Sequence, residues 1–182
     1  MAAPAYSHAM GLISELDYEV RDANAVQRVT QKIAASRPGA WVFQRTLYPI
    51  DKGLYRLTNG RVTVPGLLAG LPVVMVTTTG AKTGKERTMP LLGIPMDEDM
   101  AVIGSNFGQS PTPGWVYNLR SNPGATVMHG SASVAVTARS ATDAERERAF
   151  EVGATFYGGF PEYRERAAHR DIEVFVLEPR QP

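Results

Sequence analysis

The chain has 182 residues, 43% hydrophobic and 20% charged, with a net charge of +1 and no cysteine. That length and balance suit one globular domain with its own core. The missing cysteines exclude disulfides, thiolate metal sites and thiol nucleophiles, and so small a net charge excludes a general nucleic-acid binder, whose affinity depends on neutralising many phosphates.

The first residues, MAAPAYSHAMGLISELDYEV, have no basic region ahead of an apolar stretch and carry Glu15, Asp17 and Glu19, a pattern unlike a secretory signal. No apolar run approaches the ~18–20 residues needed to cross a bilayer. The expectation is a cytoplasmic protein without membrane insertion, with peripheral contact at the inner face of the membrane left open. Residues 1–23 read as a mobile N-terminal segment or lid, and residues 24–182 as the single folded domain. Within it, Val26, Val29 and Ile33 share one helical face over 24–36, after an Asn24 cap and before the stop at Arg37-Pro38-Gly39. A short helix restarting near Ile50 and ending before Asn59-Gly60 follows.

From Leu71 the pattern changes to short, β-branched apolar runs. LPVVMVTTT (71–79), TMPLLGIPM (88–96), MAVIGS (100–105), ATVMH (125–129), SVAVTAR (133–139) and IEVFVLEP (172–179) read as about six strands. Asp97-Glu98-Asp99 and His129-Gly130 fall between neighbours as hairpin turns, so consecutive strands run antiparallel and the sheet tends to close into a barrel. Two helices interrupt it. One, over 113–123, presents Trp115, Val116 and Leu119 at helical spacing; the other, over 142–156, opens on a Thr142 cap with Glu145 at the capping-box position.

The stretch TTTGAKTGKERTMPLL over residues 77–92 crowds Lys82, Lys85 and Arg87 into a glycine turn between two strands. It is not a phosphate-binding loop of the Walker type. Three residues rather than four separate Gly80 from Gly84, Glu86 stands where a magnesium-binding Ser or Thr is required, and no helix follows to supply its dipole. His8, His129 and His169 lie far apart with no metal-ligand spacing, so no metal site is expected. No serine sits in a nucleophile elbow, and the Asp97/Asp99 pair fits a solvated hairpin tip. The basic turn itself has two readings from its residues. It is either a solvated charged loop, or an anion clamp made of the Gly80 and Gly84 N–H groups, threonine hydroxyls and a bidentate Arg87.

Three motifs taken together, TTTGAKTGKERTMPLL, GSNFGQSPTPGWVYNLRSNP and ATFYGGFPEYRER followed by RDIEVFVLEP, resemble the deazaflavin-dependent nitroreductase family of actinobacterial oxidoreductases over about residues 55–179. The resemblance implies an α+β, mainly β fold of the split β-barrel, FMN-binding-like type with flanking helices. It further implies deazaflavin coenzyme F420 as a two-electron hydride donor to an activated acceptor such as a quinone, enone or nitroaromatic. Lys82, Thr83, Lys85 and Arg87 then match the family's G-x-K-[ST]-G-x-x-R turn, which holds the coenzyme's phosphate and acidic oligoglutamyl tail. Pro90, Leu91 and Leu92 match the P-L-L that passes the deazaflavin ring. Ser105, Asn106, Gly108, Trp115 and Asn118 match the second motif, with Asn106 standing where many relatives carry lysine. Tyr157 and Tyr163 match the C-terminal tyrosines that line the substrate side, where a phenol orients the acceptor or donates a proton. Gly158-Gly159 reads as a hinge beside them.

Two alternatives share the barrel. One exchanges F420 for FMN, whose short phosphate does not need three cations. The other is a non-catalytic protein carrying the deazaflavin or a fatty-acyl ligand, for which seven methionines give an adaptable apolar lining. The expected partner is a small-molecule electron acceptor, and the expected assembly a monomer or homodimer.

Overall fold

The β-branched runs form strands, and the turn residues between them end those strands. In the computed structural model, which describes residues 11–20, 71–166 and 170–180, β1 (Val73–Thr79), β2 (Glu86–Leu92), β3 (Ile94–Met96) and β4 (Asp99–Ile103) are followed by β5 (Gly124–His129), β6 (Ala132–Ser140) and β7 (Val174–Pro179). Their order in the sheet is β2-β1-β5-β6-β7-β4-β3, with every pair antiparallel. The helices expected over 24–36 and near residue 50 lie outside the described residues, as do His8 and His169.

Seven strands stand where about six are expected, because the run 88–96 is divided at Gly93. A Cβ there would lie 2.7 Å from both Met100 Sδ and the Tyr18 hydroxyl, so only glycine lets the backbone approach this closely. The chain turns at this point from one edge of the sheet, β2, to the other, β3. The sheet therefore curls until its two edges are neighbours in sequence, and it forms a half-barrel.

Strand alternation gives the curled sheet two apolar faces. The inner face carries Val74, Val76, Met100, Val102, Val127, Val136, Phe175 and Leu177, and it is filled by α1 (Leu12–Glu15) and α2 (Gly114–Ser121). Leu12 and Leu16 are completely or almost completely buried there, each worth about 1.5–3 kcal/mol of apolar burial. Residues 11–20, part of the N-terminal segment, are thus packed into the inner core. The Tyr18 hydroxyl ties them across the sheet, donating to the carbonyls of Pro72 and Gly93 at 3.0 and 2.5 Å.

The outer face carries Ile94, Met96, Ala101, Ile103 and Val174, and it is covered by α3 (Asp143–Phe156) and α4 (Gly159–Arg166). α3 starts as the sequence indicates, on a capping box in which the Thr142 hydroxyl accepts from the Glu145 N–H while the Glu145 carboxylate accepts from the Thr142 N–H. α4 is a helix that the sequence pattern does not signal. Its first residue, Gly159, belongs to the segment read as a hinge, yet a Cβ at that position would lie 2.6 Å from the Tyr157 ring. Close packing requires this glycine.

Candidate active site

The basic turn joins β1 to β2 and is held by its own backbone. The Gly80 carbonyl accepts from the Thr83 and Gly84 N–H groups at 3.2 and 2.8 Å, and the Gly80 N–H donates to the Lys85 carbonyl at 2.9 Å. Gly84 has φ 63°, the left-handed conformation that favours glycine. Beneath the turn, the Asn118 amide of α2 accepts from the Ala81 N–H and donates to Thr78 Oγ1, both at 3.0 Å. The Lys82 N–H, one position further, has no acceptor among the described residues.

Residues 81–88 are all exposed, and none of Lys82, Lys85 and Arg87 forms an ion pair with a described carboxylate. Five other arginines do. Arg120 holds Glu173, Arg139 holds Glu145 and Glu178, Arg146 holds Asp171, Arg148 holds Asp97 and Arg164 holds Glu147. Three cations within six positions, with Glu86 as the one anion between them, leave a net positive turn whose like charges repel one another. A phosphate with carboxylates nearby removes that repulsion and takes charge-assisted hydrogen bonds from the same groups. The turn thus fits a multiply anionic ligand.

Alternation along β2 separates the residues of the P-L-L motif. Leu91 opposes Val74 and packs into the inner core. Pro90 opposes Met75 on the outer face, and Leu92 joins the outer cluster with Tyr157 and Tyr163. Pro90, which has no N–H to give, sits on an edge strand, where a missing ladder donor is tolerated. Trp115, expected beside the ring, is only 5% exposed and packs at 6.0 Å, edge to face, against Phe175 inside the inner core.

The second motif forms a tight loop after β4. Ser105 is buried, and Asn106–Gly108 make a single 3-10 turn in which Asn106 and Gly108 have φ 47° and 75°. The Asn106 amide donates to the Pro111 carbonyl at 2.8 Å. Arg170 locks the loop from outside, its guanidinium donating to the carbonyls of Gly104 and Ser105 at 3.0 Å and of Gln109 at 3.2 Å. α4 packs against this turn. It brings Tyr163 to Tyr157, with their hydroxyl oxygens 2.6 Å apart and the residues 2% and 3% exposed. The structure thus holds two separate groups, the basic turn at the start of β2 and the tyrosine pair in the outer cluster against which Leu92, the last residue of β2, packs.

Comparison with known proteins identifies the family. The family model for F420H(2)-dependent quinone reductase matches residues 48–179. The chain belongs to this family. It is 31% identical over 139 residues to an F420H(2)-dependent quinone reductase of Mycobacterium tuberculosis, covering 74% of this chain and 91% of that protein. Among solved structures, an F420-H2 dependent reductase, FDR-A, is 34% identical with a TM-score of 0.54, covering 59% of this chain and 94% of the other. A chain described as a domain-swapped dimer is 31% identical with a TM-score of 0.56, covering 78% and 99%.

As a member of the F420H(2)-dependent quinone reductase family, the protein is an F420-dependent oxidoreductase, with F420 as its coenzyme and a small molecule as its acceptor. No helix among the described residues is long and apolar enough to cross a membrane, and no group of three or more metal-ligating side chains occurs among them. One residue escaped sequence reasoning: Arg170 carries no local signal of its loop contacts, which span more than 60 residues. Asn118 is named by the second motif, but its bonds to Ala81 and Thr78 under the basic turn are not legible from that motif.

Proposed function

We propose that this reductase transfers a hydride from reduced F420 to a quinone, with enones and nitroaromatics as further activated acceptors. The observation that carries the reading is the course of β2. This strand leads from the basic turn to Leu92, which packs against the buried cluster that contains Tyr157 and Tyr163. From Arg87 to Leu92 it spans about 17 Å at ~3.4 Å per residue, so anion binding and proton delivery occupy separate ends of one elongated site.

When bound, the reduced coenzyme supplies the hydride. Lys82, Lys85 and Arg87 bind the phosphate and tail carboxylates, and the Lys82 N–H and Thr83 hydroxyl add neutral donors. Pro90 and Leu92 give an apolar surface against a flat ring, while Leu91 and Trp115 stiffen the strand from the core. Ser105, Asn106 and Gly108 form the rim beside the tyrosines. Reduction of a quinone to its hydroquinone takes one hydride equivalent and one proton; one tyrosine hydroxyl would give that proton to an acceptor oxygen and be reprotonated through the other. The products are oxidised coenzyme and hydroquinone.

The names of the relatives favour a quinone acceptor, and a domain-swapped dimer at 31% identity supports a homodimer over a monomer. A cytoplasmic location suits a donor held in solution. Mixing the protein and reduced F420 with menadione in a stopped-flow instrument tests the reading. Acceptor-dependent oxidation of the deazaflavin is expected, and a carrier without turnover would show none.

A further inference from the structure

The Asn118 side chain carries a role that the second motif does not assign to it. The residue is 9% exposed, and its amide is joined at both ends to the strand-turn unit above it: Oδ1 accepts from the Ala81 N–H, and Nδ2 donates to Thr78 Oγ1. Thr78 is 1% exposed, so its hydroxyl depends on protein partners. It lies opposite Arg87 in the β1–β2 register and donates to the Arg87 carbonyl at 3.4 Å. Ala81 directly precedes Lys82. One amide, on a helix anchored in the core by Trp115, Val116 and Leu119, thus grips the turn beside two of its three cations.

We infer that Asn118 is a positioning residue for F420, holding the basic turn through Ala81 and Thr78 instead of touching the coenzyme. The inference rests on the reading of the turn as the coenzyme's anion site. Repulsion among its like charges favours spreading of the unliganded turn, and its backbone bonds, the Lys85 N–H bond to Thr83 Oγ1 and the Asn118 amide resist it. The amide fixes the Ala81 peptide. The next N–H, that of Lys82, has no acceptor among the described residues and is left for a ligand. Binding is stronger when donors are in place beforehand, since the ordering cost is not met at the moment of association.

A double-mutant cycle read by F420 fluorescence titration separates positioning from contact. Asn118→Leu is expected to weaken F420 binding about tenfold in the otherwise wild-type protein. In a Lys82→Ala/Arg87→Ala background, where little remains to position, the same change is expected to cost less than about twofold. An equal loss in both backgrounds would show direct contact and overturn the inference, as would unchanged affinity in the first. Thr78→Val leaves Asn118 and the cations intact and guards against a misfolded Asn118 variant. It should weaken binding about threefold, and no effect would contradict the relay through Thr78. Hydrogen exchange of the Ala81 amide in coenzyme-free protein should accelerate in Asn118→Leu, independently of any ligand. Failure of the underlying reading is seen separately, as wild-type protein that does not bind F420 while Ala81 remains protected.

Discussion

At the β1–β2 turn three cations stand exposed and in no ion pair with a described carboxylate, Glu86 included, whereas on the α3–α4 side Arg146, Arg148 and Arg164 each hold one. The same residue type serves different ends in the two regions. Paired arginines there fasten helices to strands and to each other, Arg148 reaching the β3–β4 hairpin at Asp97 and Arg164 joining α4 to Glu147 of α3. At the turn, on the reading proposed above, the charge is left for the coenzyme. The polar groups of the helical side are also the more enclosed: the Tyr157–Tyr163 pair lies in an apolar cluster, suited to directed proton transfer. The comparison predicts that damage at the two ends separates into loss of turnover and loss of coenzyme affinity.

The largest effect is expected at the tyrosines. Phe at position 157 or 163 removes only the hydroxyl, and general acid assistance is worth about 10²–10⁴-fold. Loss of the true donor should lower turnover by that order at saturating F420, while coenzyme affinity stays within twofold. The assay is hydride transfer to a quinone and to a nitroaromatic. Unchanged rates in both single variants and in the double variant would make the pair a packing element.

At the other end, Arg87→Ala should weaken F420 binding roughly 10- to 150-fold, the equivalent of one charge-assisted contact of about 1.5–3 kcal/mol. Turnover at saturating coenzyme should fall far less. A variant that loses turnover and keeps affinity would reverse the assignment of the two ends.

Arg170→Ala removes three bonds to the carbonyls of the 104–109 loop, on the tyrosine side. The expected loss is about tenfold in turnover, with the salt dependence of F420 binding unchanged. Altered salt dependence would place this loop with the phosphate instead.

The smallest effect concerns stability and sharpens what paired arginines do. The Arg139 guanidinium, followed by the Thr142 N–H, holds the Glu145 carboxyl down to about 2 from its ordinary 4.5. A depressed carboxylate contributes stability that is complete above the ordinary value and is lost as pH falls from 4.5 towards 2. Glu145→Gln should lower the melting temperature at pH 7 by about 2–4 °C, for a solvent-screened contribution of about 1 kcal/mol. The gap to wild type should close at pH values near 2, and a gap independent of pH would assign the effect to the cap alone.

The barrel strands and both described helices named from the sequence were legible because each rests on a local pattern: alternation, β-branching, turn residues or a capping box. The extra strand boundary was not, since it depends on Met100 and Tyr18 crowding Gly93 from distant parts of the chain. α4 was hidden for a related reason. Its sequence GFPEYRER has a weak apolar pattern, and it becomes a helix by packing Tyr163 and Phe160 onto a sheet. The family motifs named the residues of the candidate site, yet motif order could not say which face each residue takes. Leu91 and Trp115 belong to the inner core, Leu92 and the tyrosines to the outer cluster, and Asn118 lies under the turn. These placements follow from strand register and helix phase, which become visible only when the sheet is assembled.

The central claim is that the unpaired cations of the β1–β2 turn hold the anionic end of F420. It is tested most directly by titrating wild-type protein into F420 and into FMN at low and high ionic strength, following ring fluorescence. Binding of F420 that is tighter than that of FMN and weakens steeply with added salt is the predicted result. F420 affinity that does not change with salt, or FMN bound more tightly than F420, would contradict it.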